Sequence, residues 1–348
     1  MPARRVRPDL RGLKAAARGR RRGLIVIYGN PDPDALGSAW ALQRILGRWR
    51  VPAAIVYTGE VGRLENAAMI EYLRIPAARL APGQAARADL VALVDAQPGF
   101  FGAGQLPRCD IVFDHHPAKN LAGAVAPAFS DIRPKCLSTS SVLTGYLLAA
   151  GCRLDRRLAT ALFYGIVTDA RHMARGRSPT DAAALAALES LIDRQTVRRI
   201  ECSAYSLSRL DYFAIAVMRL MHHRGVLYAN LGPVPSIDLC GQIADFLIRV
   251  KESRWALVSG VYETKLAVVF RCDGQHGNAG RTAAAAFGRF GSAGGHETMG
   301  RAEIPAARLP AGILLTQGEK VARFVLERLA ATRKIFQPVL DQLIRSGG

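Results

Sequence analysis

Four short segments carry most of the residues of this chain that could do metal or acid–base chemistry. The first is Asn30-Pro31-Asp32-Pro33-Asp34, the second is Asp95 directly after the apolar run 91–94, the third is Asp114-His115-His116 after Ile111-Val112-Phe113, and the fourth is Asp169 after the run 162–168. Carboxylates brought together in one crevice repel each other unless cations neutralise them. Oxygen donors joined by one or two imidazoles suit manganese, magnesium or another first-row divalent ion, and a histidine in the set favours manganese. The expected cofactor is therefore a divalent metal, manganese first, as one ion or a pair. Each segment also has a plainer reading, because Asp and Pro are favoured at helix starts and a single Asp after a strand is often a turn residue.

The elements around these residues bear on that choice. Residues 24–28 form a continuous apolar run suited to a strand buried on both faces, followed by a polar turn and a helical pattern over 35–47. The theme repeats with strands at 53–58, 90–95 and 109–114 and a helix at 65–74, which together predict a parallel α/β sheet. Acids at the carboxyl ends of such strands share the edge where open α/β folds bind ligands. Asp169 reaches the same edge from a helix predicted over 156–168, flanked by helices at 142–150 and 180–193. Further on, residues 225–230, 256–262 and 265–271 read as strands of a second, smaller α/β unit, 290–295 as its glycine-rich turn, and 317–344 as one final helix.

The chain has 348 residues, half of them hydrophobic, so two domains are expected. No run of about 18 uncharged apolar residues and no signal-peptide pattern occurs, which predicts a cytoplasmic protein with no membrane partner. The six cysteines contain no Cys-x-x-Cys pair and read as buried free thiols. The formal net charge is +19, a field that attracts polyanions. Residues 1–22 hold nine Lys and Arg against Asp9 alone and are expected to be a disordered basic leader, serving either as an electrostatic arm for nucleic acid or no purpose at all.

The ordered set Asp-x-Asp, strand-Asp, Asp-His-His and Gly165-Ile166-x-x-Asp169 resembles the four signature segments of the DHH phosphoesterase superfamily, over roughly residues 24–190. That superfamily includes RecJ-like exonucleases, nano-RNases with phosphoadenosine-phosphate phosphatase activity, and cyclic-dinucleotide phosphodiesterases. The resemblance implies Asp32, Asp34, Asp95, His115 and Asp169 as metal ligands, His116 as the phosphate contact, and Asp114 as the residue that orients a ligand. Two departures stand out. Tyr28 occupies the position where many members carry a further histidine, although RecJ-like members lack it too, and Ala170 stands where a Thr often follows the last Asp.

In the C-terminal half, Gly294-Gly295-His296 resembles the glycine-glycine-histidine loop of the associated DHHA1 domain. The resemblance implies a substrate-binding role for Arg271, Arg281, Gly294, Gly295 and His296, with glycines that let backbone N–H groups approach an anion. Of the remaining candidates, Ser138-Thr139-Ser140-Ser141 reads as a helix cap before a phosphate contact. His222 and His223 read as structural residues of a connecting helix, and Arg171–Arg177 as either a solvated loop or a cleft lining.

The combined expectation is an α/β chain with a basic leader at 1–22, a parallel-sheet DHH catalytic domain at 23–193, a helical linker at 194–222, and a smaller α/β DHHA1 substrate-binding domain at 223–348 across an interdomain cleft. Its expected activity is metal-dependent hydrolysis of phosphodiester or phosphomonoester bonds in short RNA or DNA oligonucleotides, phosphoadenosine phosphate or dinucleotides. The rivals are a non-catalytic nucleic-acid-binding module and a pyrophosphatase or polyphosphatase. A homodimer is compatible with the resemblance.

Overall fold

Gly23–Ile27 has the sequence GLIVI and is buried at all positions, the signature of a strand covered on both faces. The structure, a computed structural model, describes residues 7–100, 108–117, 126–172 and 176–346. Two units result, one ending at Ala204 and one beginning at Tyr205.

In chain order the first unit comprises α1 (Leu10–Ala17), β1 (Gly23–Ile27), α2 (Pro33–Arg48), β2 (Ala53–Tyr57), α3 (Leu64–Leu73), β3 (Ala77–Arg79), α4 (Gln84–Arg87), β4 (Leu90–Val94), β5 (Ile111–Asp114), β6 (Phe129–Ile132), α5 (Thr139–Ala149), α6 (Arg156–His172), α7 (Pro179–Leu188) and α8 (Arg194–Glu201). Its strands form one parallel sheet in the order β3-β2-β1-β4-β5-β6. Alternate residues of each strand point to opposite faces. Ile25, Ile27, Ala92, Val94, Ile111 and Phe113 join the large core that also holds residues of α2, α5 and α6, whereas Leu24, Val26, Val91, Leu93 and Val112 make a smaller core on the other face. The strand order reverses between β1 and β4, and this is the point of an open α/β sheet where the flanking loops part and leave a crevice.

The second unit comprises α9 (Leu207–Met218), β7 (Met221–His223), β8 (Val226–Pro233), α10 (Ile237–Leu247), β9 (Trp255–Tyr262), β10 (Lys265–Cys272), α11 (Ala279–Phe287), β11 (Ser292–Gly295), β12 (Met299–Pro305), α12 (Gly318–Thr332) and α13 (Gln337–Ser346). Its sheet runs β11-β12-β10-β9-β8-β7, with β8 and β9 parallel and the other pairs antiparallel. One apolar cluster includes residues of α11, α12 and α13, and a second includes residues of α10.

Several expectations are corrected. The leader is not disordered from residue 10 onward: Asp9 caps α1 by accepting the Gly12 N–H, and Leu13, Ala16 and Ala17 are buried in the first core. The repulsive charges that argued for disorder lie on the other side of that helix. Arg4 and Arg5 fall outside the described residues. The 194–222 connection divides between the units, since Ile200 of α8 is in the first core and Ala216 of α9 in the second unit's. His222 and His223 belong to a strand, not a helix. The final helix breaks at Arg333, whose extended backbone lets Phe336 pack edge-on against Trp255 at 5.4 Å between ring centroids. Residues 292–295, expected as a turn, pair with β12. Cys202 is exposed, in contrast to the buried Cys136, Cys240 and Cys272. Among the described residues no helix is long and apolar enough to cross a membrane.

Candidate metal centre

At the end of β1 the chain turns into α2, and Asp32 caps that helix by accepting the Ala35 N–H at 2.8 Å, with Pro33 in its first turn. The cap reading of Asp32 is thus correct. Burial, then the negative charges of Asp95, Asp169 and Asp34, raise its carboxyl well above the ordinary carboxylate range.

Asp34 lies one residue inside the helix and is fully buried. Its two oxygens accept the N–H groups of Thr139 and Ser140, each at 2.7 Å, so the N-terminus of α5, packed beside α2 on the same face of the sheet, grips it. Even so, burial and the charges of Asp95 and Asp169 push the carboxyl up to about 8. Gly165 of α6 makes this approach possible, because a Cβ there would lie 2.9 Å from the Asp34 Cα and 2.8 Å from the Ser140 hydroxyl.

Asp95 follows β4 in left-handed backbone, with φ of 56°, a conformation that Asp tolerates better than most residues. Its N–H donates to the Phe113 carbonyl at 2.8 Å, and its carboxylate accepts the Thr139 hydroxyl at 3.0 Å. One strand over, the turn after β5 presents His115, which is buried. Its Nε2 lies 3.2 Å from Asp169 Oδ2, 3.3 Å from Asp95 Oδ1 and 4.0 Å from Asp34 Oδ2. Burial opposes a charge on this imidazole, but the hydrogen bonds to Asp169 and Asp95 prevail and push it up to about 12. Its Nδ1 is buried and has no hydrogen-bond partner among the described residues. Asp169 arrives from α6; burial raises its carboxyl against the lowering effect of the His115 hydrogen bond.

His116 stands beside this cluster, its Nδ1 2.8 Å from Asp114 Oδ1 and 3.8 Å from Asp95 Oδ1. Asp114 is buried and also accepts the N–H groups of His115 and His116. Burial alone would raise the Asp114 carboxyl, but its bonds to His116 and Gln97 overcome that and hold it below the usual range.

The donor set fits a divalent cation. Asp95, His115 and His116 form one three-residue group and Asp34, His115 and Asp169 another, each with ligand atoms within 4.8 Å of one another. The buried carboxylates act on each other chiefly as like charges, a situation that a bound cation relieves. Asp32 enters neither group.

Residues 24–166 match the DHH family, N-terminal domain. The first unit therefore carries a DHH-family N-terminal domain over those residues. Over 317 residues it is 32% identical to an uncharacterised protein of Methanocaldococcus jannaschii, a match that covers 91% of this chain and 64% of that protein. The chain therefore spans less than two thirds of that relative's length. Among solved structures, the fold is similar to an exopolyphosphatase-related protein from Bacteroides fragilis, with a TM-score of 0.68, 14% identity, and coverage of 93% of this chain and 96% of that one. It is also similar to RecJ in complex with Mn2+ from Thermus thermophilus, with a TM-score of 0.51, 15% identity, and coverage of 95% and 56% respectively. At these identities the likeness is one of fold.

Within the DHH domain, sequence reasoning missed three contributors. Gln97 donates to Asp114, the Thr139 hydroxyl donates to Asp95, and the Ser38 hydroxyl reaches Asp34 at 3.4 Å. The Ser-Thr-Ser-Ser run was legible as a cap, and Ser138 does cap α5. Its first amides serve Asp34 as well. Tyr28, where many DHH proteins carry a histidine, is 41% exposed.

The candidates of the second unit are placed as follows. Arg271 on β10 is largely buried and paired with Asp245 at 2.6 Å. Arg281 is exposed in the first turn of α11, and His296 is exposed after β11. The Gly294 and Gly295 strand presses on that helix: the Ala279 and Gly280 N–H groups donate to the Glu297 and His296 carbonyls at 2.8 Å, and the His296 N–H donates to Met299 at 2.7 Å. These three amides are engaged within the protein, and the small residues have a packing reason of their own, since a Cβ on Gly280 would collide with the Gly295 backbone. Of the segment 171–177, the side chains of Arg171, His172 and Arg175 lie outside the described residues, and Arg177 is exposed.

Proposed function

We propose that this chain is a divalent-metal-dependent phosphoesterase that hydrolyses phosphodiester or phosphomonoester bonds in short nucleotidic substrates: short oligoribonucleotides, phosphoadenosine phosphate or dinucleotides. The observation that carries the reading is the convergence of Asp34, Asp95 and Asp169 on His115 beside the sheet's switch point. Asp32, Asp34, Asp95, His115 and Asp169 would hold the metal, with manganese preferred to magnesium for a set that includes imidazole. Divalent ions held there supply Lewis-acid neutralisation of the phosphate's charge.

The chain's own residues do the rest. The α5 amides fix Asp34, and the Thr139 hydroxyl fixes Asp95, so the donors are set before any ligand arrives. Asp114 orients His116 beside Asp95, where the imidazole can hydrogen-bond a phosphate oxygen. In the second unit, taken by itself, Arg281 and His296 offer a cation and an imidazole to the anionic part of a nucleotide, while Arg271 is held by Asp245.

A substrate panel assayed with manganese, magnesium and cobalt tests the reading. Mononucleotides released from short RNA, or phosphate from phosphoadenosine phosphate, support it. Inactivity on short RNA, phosphoadenosine phosphate and linear and cyclic dinucleotides overturns it. Phosphate released from pyrophosphate or polyphosphate alone would move the assignment to a pyrophosphatase, and RNA held without metal or turnover would move it to a binding module.

A further inference from the structure

The basic leader has no part in the metal centre, and the fold gives it a defined shape. One helical residue turns about 100°, so Arg11 and Lys14 on α1 and Arg18, the residue that ends it, fall within about 60° of one another. All three are exposed, while Leu13, Ala16 and Ala17 on the opposing side are buried in the core of the first unit. Arg7 before the helix and Arg21 and Arg22 after it are exposed too. None of these six side chains enters an ion pair with the described residues. Asp9 spends its carboxylate on the helix cap, and of the basic residues from 7 to 22 it is Arg20 that is neutralised, by Asp110 at 3.6 Å.

The segment is also anchored. The Asp9 N–H donates to the Tyr146 hydroxyl at 3.0 Å, and the Arg21 and Arg22 N–H groups donate to the Asp89 carboxylate at 2.8 Å each. Asp89 directly precedes β4, so this end of the leader lies at the amino edge of the sheet, whereas the metal centre occupies the carboxyl edge.

We infer that α1 and its flanking arginines form a docking ridge for the phosphate backbone of nucleic acid, separate from the metal centre. Charge complementarity selects the partner, because a row of unpaired cations dominated by arginine matches a regularly spaced row of phosphates. A bilayer is the poorer match: an interfacial helix needs an apolar face to insert, and the apolar residues of α1 are already buried in the protein. An acidic protein partner is also a poorer match, because Leu13, Ala16 and Ala17 are buried in the protein's own core and are not available as apolar contacts. Docking of the helix on the core fixes the cations in advance and lowers the entropy cost of binding.

The test measures binding of the full chain to labelled polyuridylic acid across a salt series in EDTA, so its result does not depend on whether hydrolysis occurs. Arg11→Gln/Lys14→Gln/Arg18→Gln should lower the slope of log affinity against log salt by about 2, since each single-strand phosphate contact contributes about 0.7. A second variant outside the helix, Arg7→Gln/Arg21→Gln/Arg22→Gln, should lower it similarly and guards against misfolding of the first. Duplex DNA in a parallel series distinguishes single-strand from duplex backbone, with a steeper loss of about 0.9 per contact if the duplex is held. Wild-type affinity and slope in both variants, or binding of anionic vesicles with none of either polynucleotide, would overturn the inference.

Discussion

Gln97 donates its side-chain amide to Asp114 Oδ2 at 2.7 Å. The same nitrogen lies 3.3 Å from the His116 carbonyl and 3.2 Å from that of Pro117, so one buried group ties the end of β5 to the turn that carries both histidines. Gln97→Leu removes the donor while keeping an apolar side chain of similar size, and it leaves part of a buried carboxylate unpaired. The expected loss is about 1.5–3 kcal/mol of stability. A lower urea midpoint at unchanged m-value would show it. Hydrolysis should fall as well, because His116 loses its fixed orientation; wild-type stability would show that Gln97 has no such role.

Asp95→Asn keeps a residue that tolerates left-handed backbone but removes a charge from the cluster. In EDTA the variant should melt close to the wild-type temperature, because relief of the repulsion with Asp34 and Asp169 is offset by the loss of a charged partner of His115. With manganese the wild type should melt higher. Wild-type protein gains about 2.7 kcal/mol at a metal concentration a hundred times its Kd, and the variant should gain far less. Equal gains in thermal scans would remove Asp95 from the ligand set.

Gly165→Ala places a methyl group 2.9 Å from the Asp34 Cα and 2.8 Å from the Ser140 hydroxyl. Relief requires α6 to move away from α2, at a cost of about 1–3 kcal/mol. Since Asp169 rides on the same helix, manganese affinity measured by calorimetry should weaken together with the melting temperature. A variant with normal stability and normal metal affinity would refute the close-approach argument.

Asp89 predicts a pH dependence away from the metal centre. The Arg22 backbone N–H, aided by that of Arg21, holds its carboxyl below the usual carboxylate range. A group depressed on folding stabilises the protein above its unfolded pKa of about 3.9 and loses that contribution as pH falls through the folded value. Asp89→Ala should therefore melt lower than wild type at neutral pH, and the gap should close as the medium is acidified below about pH 4. A gap constant down to low pH would mean that the leader is not anchored by this carboxylate.

Much of the first unit was legible because parallel strands buried on both faces are written as uninterrupted apolar runs, as in residues 24–27 and 90–94. The acids that end those runs were legible for the same reason. The edge strands were not. β3 is Ala-Ala-Arg and β6 carries Ser130 and Asp131, so neither has enough apolar residues to stand out from a loop. In the second unit, β12 and α10 escaped notice, and the break at Arg333 left no local mark, because Trp255, against which Phe336 packs, is remote in sequence.

Sequence by itself determined which residues could ligate a metal and that they sit at strand and helix ends, since residue type and hydrophobic period are local properties. The tertiary structure decided the rest. The order β3-β2-β1-β4-β5-β6 sets Asp34 beside Asp95, the α5 amides turn toward Asp34 although 105 residues separate it from Thr139, and α1 lies on the core instead of trailing in solvent. Such pairings are non-local, and they follow from the burial of whole faces against one another.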